Sequence, residues 1–114
     1  MNFEVIPTPD FEKSFKVLAK KHRSLKQDIT DFTKSLQNNP FQGDELTPGL
    51  RKIRMSIKSK GRGKSGGARI ITYTVLSLED SGFVYLLEIY DKEEYSTVDI
   101  PTLKKILKDL GLSK

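Results

Sequence analysis

Basic side chains are concentrated in one segment of this chain. Residues 51–69 contain eight Lys and Arg and no Asp or Glu, while the remaining residues carry twelve basic against fifteen acidic side chains. The net charge of +5 therefore originates in nineteen residues. Cations at this density repel one another unless a polyanion is their neighbour, and a phosphate backbone is a common one. The eight residues are Arg51, Lys52, Arg54, Lys58, Lys60, Arg62, Lys64 and Arg69.

The chemistry that suits such a cluster is the binding or cleavage of RNA. A phosphodiester gains negative charge on its oxygens as it reacts, and fixed guanidinium and ammonium groups stabilise that charge. RNA supplies its own nucleophile in the 2′-hydroxyl, and a Lys whose pKa is lowered by neighbouring cations can act as a base. The competing interpretation is a solvated basic loop without a binding role.

Other kinds of site have little support in the sequence. The chain has no cysteine and one histidine, so thiol chemistry and a histidine-pair mechanism are excluded by count. We interpret His22 as a surface residue without a paired acid, and Asp91, Glu93 and Glu94 as scattered surface acids without metal-ligand spacing. Residues 63–65 read Gly-Lys-Ser, but position 58 is Lys and a strand follows, so a phosphate-binding P-loop is rejected.

The first third of the chain predicts a strand and two helices. Residues 2–7 alternate up to a proline, and Thr8-Pro9-Asp10 is a helix start with a cap, a first-turn proline and an acid near the positive dipole end. Phe11, Phe15 and Leu18 follow at helical spacing. A second apolar stripe then predicts a helical hairpin. The second stripe consists of Leu25, Ile29, Phe32 and Leu36.

The remainder predicts a loop, three strands and a helix. Prolines and glycines in 37–49 indicate a loop, and 60–67 is a glycine-rich connector. Alternation places Ile53, Met55 and Ile57 on one face of the first strand and Lys52, Arg54, Ser56 and Lys58 on the other. Strands over 69–78 and 83–90 follow, the former apolar on both faces and hence central. Asp99 can cap a final helix closed by Gly111.

These elements predict a single α+β domain spanning 1–114, in the order β-α-α-β-β-β-α. Short connections make the last three strands an antiparallel meander, within a sheet of about four antiparallel strands. We expect a cytoplasmic protein, because cysteine is absent, the N-terminus does not resemble a signal peptide, and no apolar run reaches membrane-spanning length.

Whether the basic side chains lie on one surface depends on which face of the sheet each of them projects from. One face of the sheet is needed to bury the helices, so the other carries Lys52, Arg54 and their neighbours. Arg69 and Tyr73 share a face of the next strand, and Tyr90 and Lys92 share a face of the last. If these sets coincide, one sheet surface presents several cations and a phenol together.

Three segments resemble the RelE/ParE superfamily of bacterial toxins. They are GLRKIR at 49–54, KGRGKSGGARII at 60–71 and YLLEIYDK at 85–92. The glycine-rich stretch is most similar to the HigB-like branch, and the similarity extends over nearly the whole chain. The resemblance implies the RelE-like fold. It also implies a ribosome-dependent messenger-RNA endoribonuclease that inhibits translation, needs no metal or other cofactor, and is neutralised by a cognate antitoxin protein.

The resemblance also implies residue roles. Lys52 or Arg54 would help to activate the 2′-hydroxyl, Arg69 would stabilise the transition state, and Lys92 would serve the leaving oxygen. The family's C-terminal catalytic tyrosine aligns nearer Val98, with Tyr90 or Tyr95 as substitutes. Messenger RNA and the ribosome, including its 16S RNA, would be contacted by the other cations. These are Arg51, Lys58, Lys60, Arg62 and Lys64.

Two alternatives remain open. A ParE-type toxin shares the fold and inhibits DNA gyrase by binding, without cleaving RNA. A basic module that binds RNA or the ribosome without catalysis would need the same charge. Either the basic surface or the region near the terminal helices is expected to receive the antitoxin, since an acidic or amphipathic peptide complements both.

Overall fold

The computed structural model describes residues 2–94 and 99–112 and contains the helices that the sequence predicts. Helices α1 (Pro9–Lys21) and α2 (Leu25–Asn38) form the N-terminal pair, and α3 (Ile100–Asp109) lies near the C-terminus. Both predicted caps are present. The Thr8 hydroxyl accepts a 3.3 Å hydrogen bond from the Phe11 amide, and the Asp99 carboxylate accepts one of 3.0 Å from Thr102.

The strands form one mixed sheet of five members in the order β1-β5-β4-β3-β2. Pairs β2–β3, β3–β4 and β4–β5 are antiparallel, which confirms the predicted meander with β4 in its centre. The prediction of about four antiparallel strands is wrong in number and in direction, because β1 runs parallel to β5. The strands are β1 (Asn2–Pro7), β2 (Asp44–Thr47), β3 (Leu50–Met55), β4 (Ala68–Leu78) and β5 (Ser81–Asp91).

Two local features explain the difference from prediction. Strand β2 has four residues and lies within the proline- and glycine-rich segment read as a loop, too short for a visible alternation. Strand β3 ends at Met55, so Lys58 belongs to a single 3₁₀ turn, Lys58–Lys60, and not to the strand.

Each face of the sheet has its own apolar cluster. The hairpin face packs α1 and α2 against β-strand residues that include Ile53, Ile70 and Val84. The α3 face packs Leu103 and Leu107 against Leu50, Ile71, Leu87 and Tyr90. Among the described helices, none is both long and apolar enough to cross a membrane. Since both faces are covered, a polar site on this sheet has to lie at an end or an edge.

Leu36 belongs to the apolar stripe of α2, and its substitution tests how the helical hairpin packs against the sheet. We expect Leu36→Ala to lower the free energy of unfolding by about 2–5 kcal/mol, because Leu36 is 0% exposed and its removal leaves a cavity. Leu78→Ala is the matched control, at 75% exposure, with an expected change within about 0.5 kcal/mol. Urea denaturation of the two variants measures both values, and equal losses would contradict this packing.

Candidate RNA-binding site

A row of three polar side chains lies on the α3 face of the sheet, near one end of the three central strands. Arg54 of β3 pairs with Arg69 of β4, and Arg69 pairs with Tyr90 of β5. Residues directly opposite in antiparallel strands project to the same face. The expectation that two strand arginines and a strand tyrosine share a face is therefore confirmed.

The three side chains of this row differ in their exposure to solvent. Arg54 is exposed, whereas Arg69 and Tyr90 are each 5% exposed. Tyr90 packs in the apolar cluster beneath α3, together with Leu103. A ligand in solution therefore meets Arg54 first, while Arg69 and Tyr90 lie beneath the surface.

Arg69 holds the connector from the α3 face. Because Lys60 belongs to the 3₁₀ turn, the connector in the structure spans 61–67 and not 60–67. Arg69 Nη1 donates to the carbonyl oxygens of Lys64 (2.9 Å) and Ala68 (3.2 Å), and its Nη2 donates to that of Ser65 (3.3 Å). Burial lowers the pKa of Arg69 below its ordinary value, and the neighbouring Arg54 lowers it further. The guanidinium still remains charged at neutral pH, because arginine titrates far above it.

Tyr90 is a protonated phenol at neutral pH. Burial raises its pKa above the ordinary value of 10.0 and outweighs the opposite influence of Arg69. A phenol in this state can donate a proton but cannot serve as a base. If Tyr90 takes part in a reaction, its role is that of an acid.

Two shallow depressions flank Arg54 where β3 extends beyond β2. One, of about 290 Å³, is lined by Lys52, Arg54 and Lys64 together with the acid Asp44 of β2 and residues of the loop before it. The other, of about 280 Å³, is lined by Arg54, Lys58 and Lys64 and by the acids Asp28 and Asp31 of α2. Lys64 of the connector and Arg54 of the strand thus line both. Three cations and one acid, Asp44, line the first depression, so its lining carries an excess of positive charge.

Two of the predicted RNA contacts, Arg51 and Lys58, make contacts within the protein. Arg51 lies on the hairpin face, where its Nη1 donates to the Phe41 carbonyl (3.1 Å) and its guanidinium lies 5.6 Å from the Phe41 ring centre. The Lys58 ammonium is exposed and lies 3.7 Å from an Asp31 carboxylate oxygen. Arg51 thus fixes the loop before β2 and does not line the depressions.

Lys60 and Arg62 contact carboxylates near the end of β5. The Lys60 ammonium lies 2.7 Å from Asp91 Oδ1 and 2.6 Å from Glu93 Oε1, and Arg62 Nε lies 3.5 Å from the same Glu93 oxygen. Burial acts to lower the pKa of Lys60, but hydrogen bonds to these two carboxylates raise it above its ordinary value. The Lys60 charge is engaged on the hairpin face.

The interpretations of His22 and Asp91 as surface residues are wrong. The Asp91 side chain is 5% exposed and that of His22 is 15% exposed, and His22 Nε2 lies 3.1 Å from Asp91 Oδ2. Burial by itself would raise the pKa of Asp91, but the hydrogen bond from Lys60, then those from the Glu93 amide and from His22, hold it below 3.8. The two residues are 69 positions apart, and sequence spacing gives no signal for such a pair.

Two predicted catalytic residues remain to be placed. Lys92 follows β5, and its amide donates to the Gly67 carbonyl (3.0 Å), which puts it beside the end of the connector. Tyr95 lies outside the described residues. The register therefore places Arg54, Arg69 and Tyr90 side by side, with Lys52 on the same face of β3, and Lys92 follows beyond the paired residues.

Comparison with known protein families gives no match for this chain. Within residues 2–94 and 99–112, no group of three or more His, Asp or Glu is arranged to hold a metal ion. The case for a function therefore depends on the geometry of the row, the depressions and the connector.

The lowered pKa of Asp91 predicts a loss of stability in acid. A carboxyl with a lower pKa in the folded protein than in the unfolded chain stabilises the fold at neutral pH. That stabilisation is lost as the pH falls below about 3.8 and through the folded-state value, because the unfolded chain then binds the proton more readily. We expect Asp91→Asn to weaken this dependence.

The measurement is the free energy of unfolding in urea at about pH 7 and about pH 3 for wild type, Asp91→Asn and the exposed control Asp44→Asn. Asp91→Asn should reduce the difference between the two pH values, while Asp44→Asn should retain it. An unchanged difference in Asp91→Asn would contradict the assigned ionic state.

Proposed function

We propose that this chain is a toxin of the RelE/ParE type, a cytoplasmic endoribonuclease that cuts messenger RNA on the ribosome and is neutralised by a cognate antitoxin. The observation that carries the proposal is the row Arg54–Arg69–Tyr90, which ends beside a depression lined by Lys52, Arg54 and Lys64. In cleavage of RNA by its own 2′-hydroxyl, cations can stabilise the charge that develops on the phosphate and a protonated phenol can protonate the leaving oxygen, while a base has to accept the hydroxyl proton.

The exposed members of the cluster would contact the phosphate. Arg54 can offer two parallel N–H donors to a phosphodiester, and Lys52 and Lys64 can each add an ammonium. Arg69, held by the connector carbonyls, adds positive charge from beneath, where a low dielectric strengthens its field. Lys52 is also the candidate base for the 2′-hydroxyl, and in that role it accepts the hydroxyl proton as a neutral amine and does not act as a phosphate-binding ammonium.

Proton delivery to the leaving 5′-oxygen has three candidates. Tyr90 has a protonated phenol at the buried end of the row, and Lys92 lies beyond β5 at the end of the connector. Tyr95 is the third candidate implied by the family resemblance. In this proposal the cations provide most of the rate enhancement, because charge stabilisation in a preorganised site is usually the largest contribution.

A second candidate function is RNA or ribosome binding without cleavage. The observation that favours it is the 5% exposure of both Arg69 and Tyr90, which keeps these side chains from direct contact with a bound RNA. Binding by Lys52, Arg54 and Lys64 alone would need no buried group. The two candidates differ in whether messenger RNA is cut.

The first test is Arg54→Ala in bacterial expression. We expect wild type to arrest growth with codon-phased 5′ ends in messenger RNA, and Arg54→Ala to lower the cleavage rate on purified ribosomes by about 10²–10³-fold, the usual effect of removing one donor that stabilises developing charge. Arg23→Ala, which removes an exposed arginine outside the depressions, should leave the rate unchanged.

Each outcome assigns a function. Growth arrest with intact messages but DNA damage would support the gyrase-directed ParE type. Ribosome binding with intact messages would support the binding module. Equal cleavage by wild type and Arg54→Ala would remove Arg54 from the site.

The second test is the salt dependence of binding to a single-stranded RNA oligonucleotide. Each phosphate neutralised contributes about 0.7 to the slope of log affinity against log salt concentration. We expect the combined Lys52→Gln, Arg54→Gln and Lys64→Gln variant to reduce that slope by about 2, since three cations are removed.

The control removes the same charge elsewhere. A variant with Lys16→Gln, Arg23→Gln and Lys34→Gln, all exposed on the helical hairpin, should keep a slope near that of wild type. If both triple variants reduce the slope equally, the depression is not the binding site and RNA is attracted by net charge alone.

A further inference from the structure

The Asp91 carboxylate joins three parts of the chain at the end of β5. It accepts hydrogen bonds from the Lys60 ammonium (2.7 Å) and the Glu93 amide (3.0 Å), and His22 Nε2 lies 3.1 Å from its second oxygen. His22 is at the C-terminal end of α1, and Lys60 ends the 3₁₀ turn that precedes the connector. The carboxylate is thus fully engaged from three directions on the hairpin face.

The turn that carries Lys60 is also held by α2. Asp28 Oδ2 accepts from the Lys58 amide (3.1 Å), and the Ser24 hydroxyl accepts from the Ser59 amide (2.8 Å). These contacts orient the backbone of the turn so that the Lys60 side chain reaches Asp91. The start of the connector is therefore attached to both the hairpin and the sheet.

The end of the connector is attached from the opposite face. Arg69 holds the Lys64 and Ser65 carbonyls, and a Cβ at Gly67 would collide with the Met55 carbonyl oxygen, so the backbones of β3 and the connector are in close contact there. Arg62 lies between these attachments, and Lys64 lies at the second of them. Lys64 lines the same two depressions as Arg54.

We propose that Asp91 is a positioning residue that fixes, through Lys60, the course of the connector and thereby sets Lys64 beside Arg54. Contact between Lys64 and RNA rests on the proposed function, whereas the role of Asp91 in fixing the course of the connector does not. Asp91 itself lies on the hairpin face and contacts no group that faces the depressions.

A positional role differs measurably from a purely stabilising one. Replacing both members of a buried ion pair by apolar residues is often neutral for stability, since the desolvation cost disappears together with the attraction. A pair that serves to stabilise would then be replaceable without consequence. A pair that serves to direct the connector would not, because an apolar pair has no directional hydrogen bonds.

The experiment compares wild type with the double variant Lys60→Met and Asp91→Leu. The control is Lys21→Met with Glu94→Leu, which removes an exposed 3.0 Å ion pair between α1 and the segment after β5. Trypsin cuts after Lys and Arg, so cleavage after Arg62 and Lys64 reports the local order of the connector. Affinity for a single-stranded RNA oligonucleotide is measured on the same samples.

We expect the Lys60–Asp91 double variant to retain an unfolding midpoint near that of wild type and to be cut after Arg62 and Lys64 about tenfold faster. Its RNA affinity should fall to that of Lys64→Gln. The control double variant should match wild type in both. Unchanged connector cleavage in a folded Lys60–Asp91 variant would overturn the inference.

The remaining outcomes are also decisive. If the double variant fails to fold, Lys60→Met with Asp91→Asn is used, since it removes the hydrogen bond to Lys60 and keeps an acceptor for the Glu93 amide without leaving a buried charge. Faster connector cleavage in this folded variant supports the inference, and unchanged cleavage overturns it. If cleavage accelerates but RNA affinity does not change, the positional role stands and the proposed RNA contact by Lys64 fails.

Discussion

The placement of Arg69 opposite Arg54 is the constraint on which the rest of this site depends. Like charges directly opposed on neighbouring strands are unfavourable, and burying one of them adds a desolvation cost. Carbonyl oxygens of the connector offset that cost by accepting hydrogen bonds from Arg69. The glycine-rich segment is therefore needed next to Arg69, because a backbone must approach the guanidinium closely and turn there.

Strand alternation divides the basic segment into two groups with different roles. Lys52 and Arg54 project to the α3 face and line the depression, while Arg51, which precedes Lys52, projects to the hairpin face and holds the loop before β2. Lys60 is likewise turned to the hairpin face by Asp91. A cluster that is uniform in sequence is thus separated in space into cations that face solvent and cations that organise the backbone.

Local sequence patterns were sufficient to predict the helices, their N-terminal caps and the central strand. The stripe from Leu25 to Leu36, the caps at Thr8 and Asp99 and the central position of β4 were all readable, because each depends on residues within a few positions or on burial of both faces. The pairing of Arg54, Arg69 and Tyr90 followed from alternation once the meander was recognised. Those inferences needed no information about distant contacts.

Long-range pairings set the limit of such reasoning. Parallel pairing of β1 with β5 joins residues about 79 positions apart, such as Asn2 and Ser81, and no local signal distinguishes it from antiparallel addition at the same edge. Burial of Asp91 beside His22 has the same origin, since α1 brings the imidazole to the end of β5 only after the sheet forms. The conversion of apparent surface charges into a buried ionic contact is a product of tertiary structure.

The exposure of the row bears directly on which chemistry it can perform. Arg54 is open to a ligand, but Arg69 is enclosed by the connector and Tyr90 by α3. A buried cation still acts on a bound phosphate, because the electrostatic field crosses low-dielectric protein with less screening than it would meet in water. A proton donor has no such reach, since proton transfer requires hydrogen-bond distance. The positive charge of Arg54 and Arg69 can therefore act on a bound phosphate in this arrangement, whereas donation by Tyr90 would require its buried hydroxyl to come within hydrogen-bond distance of the proton acceptor.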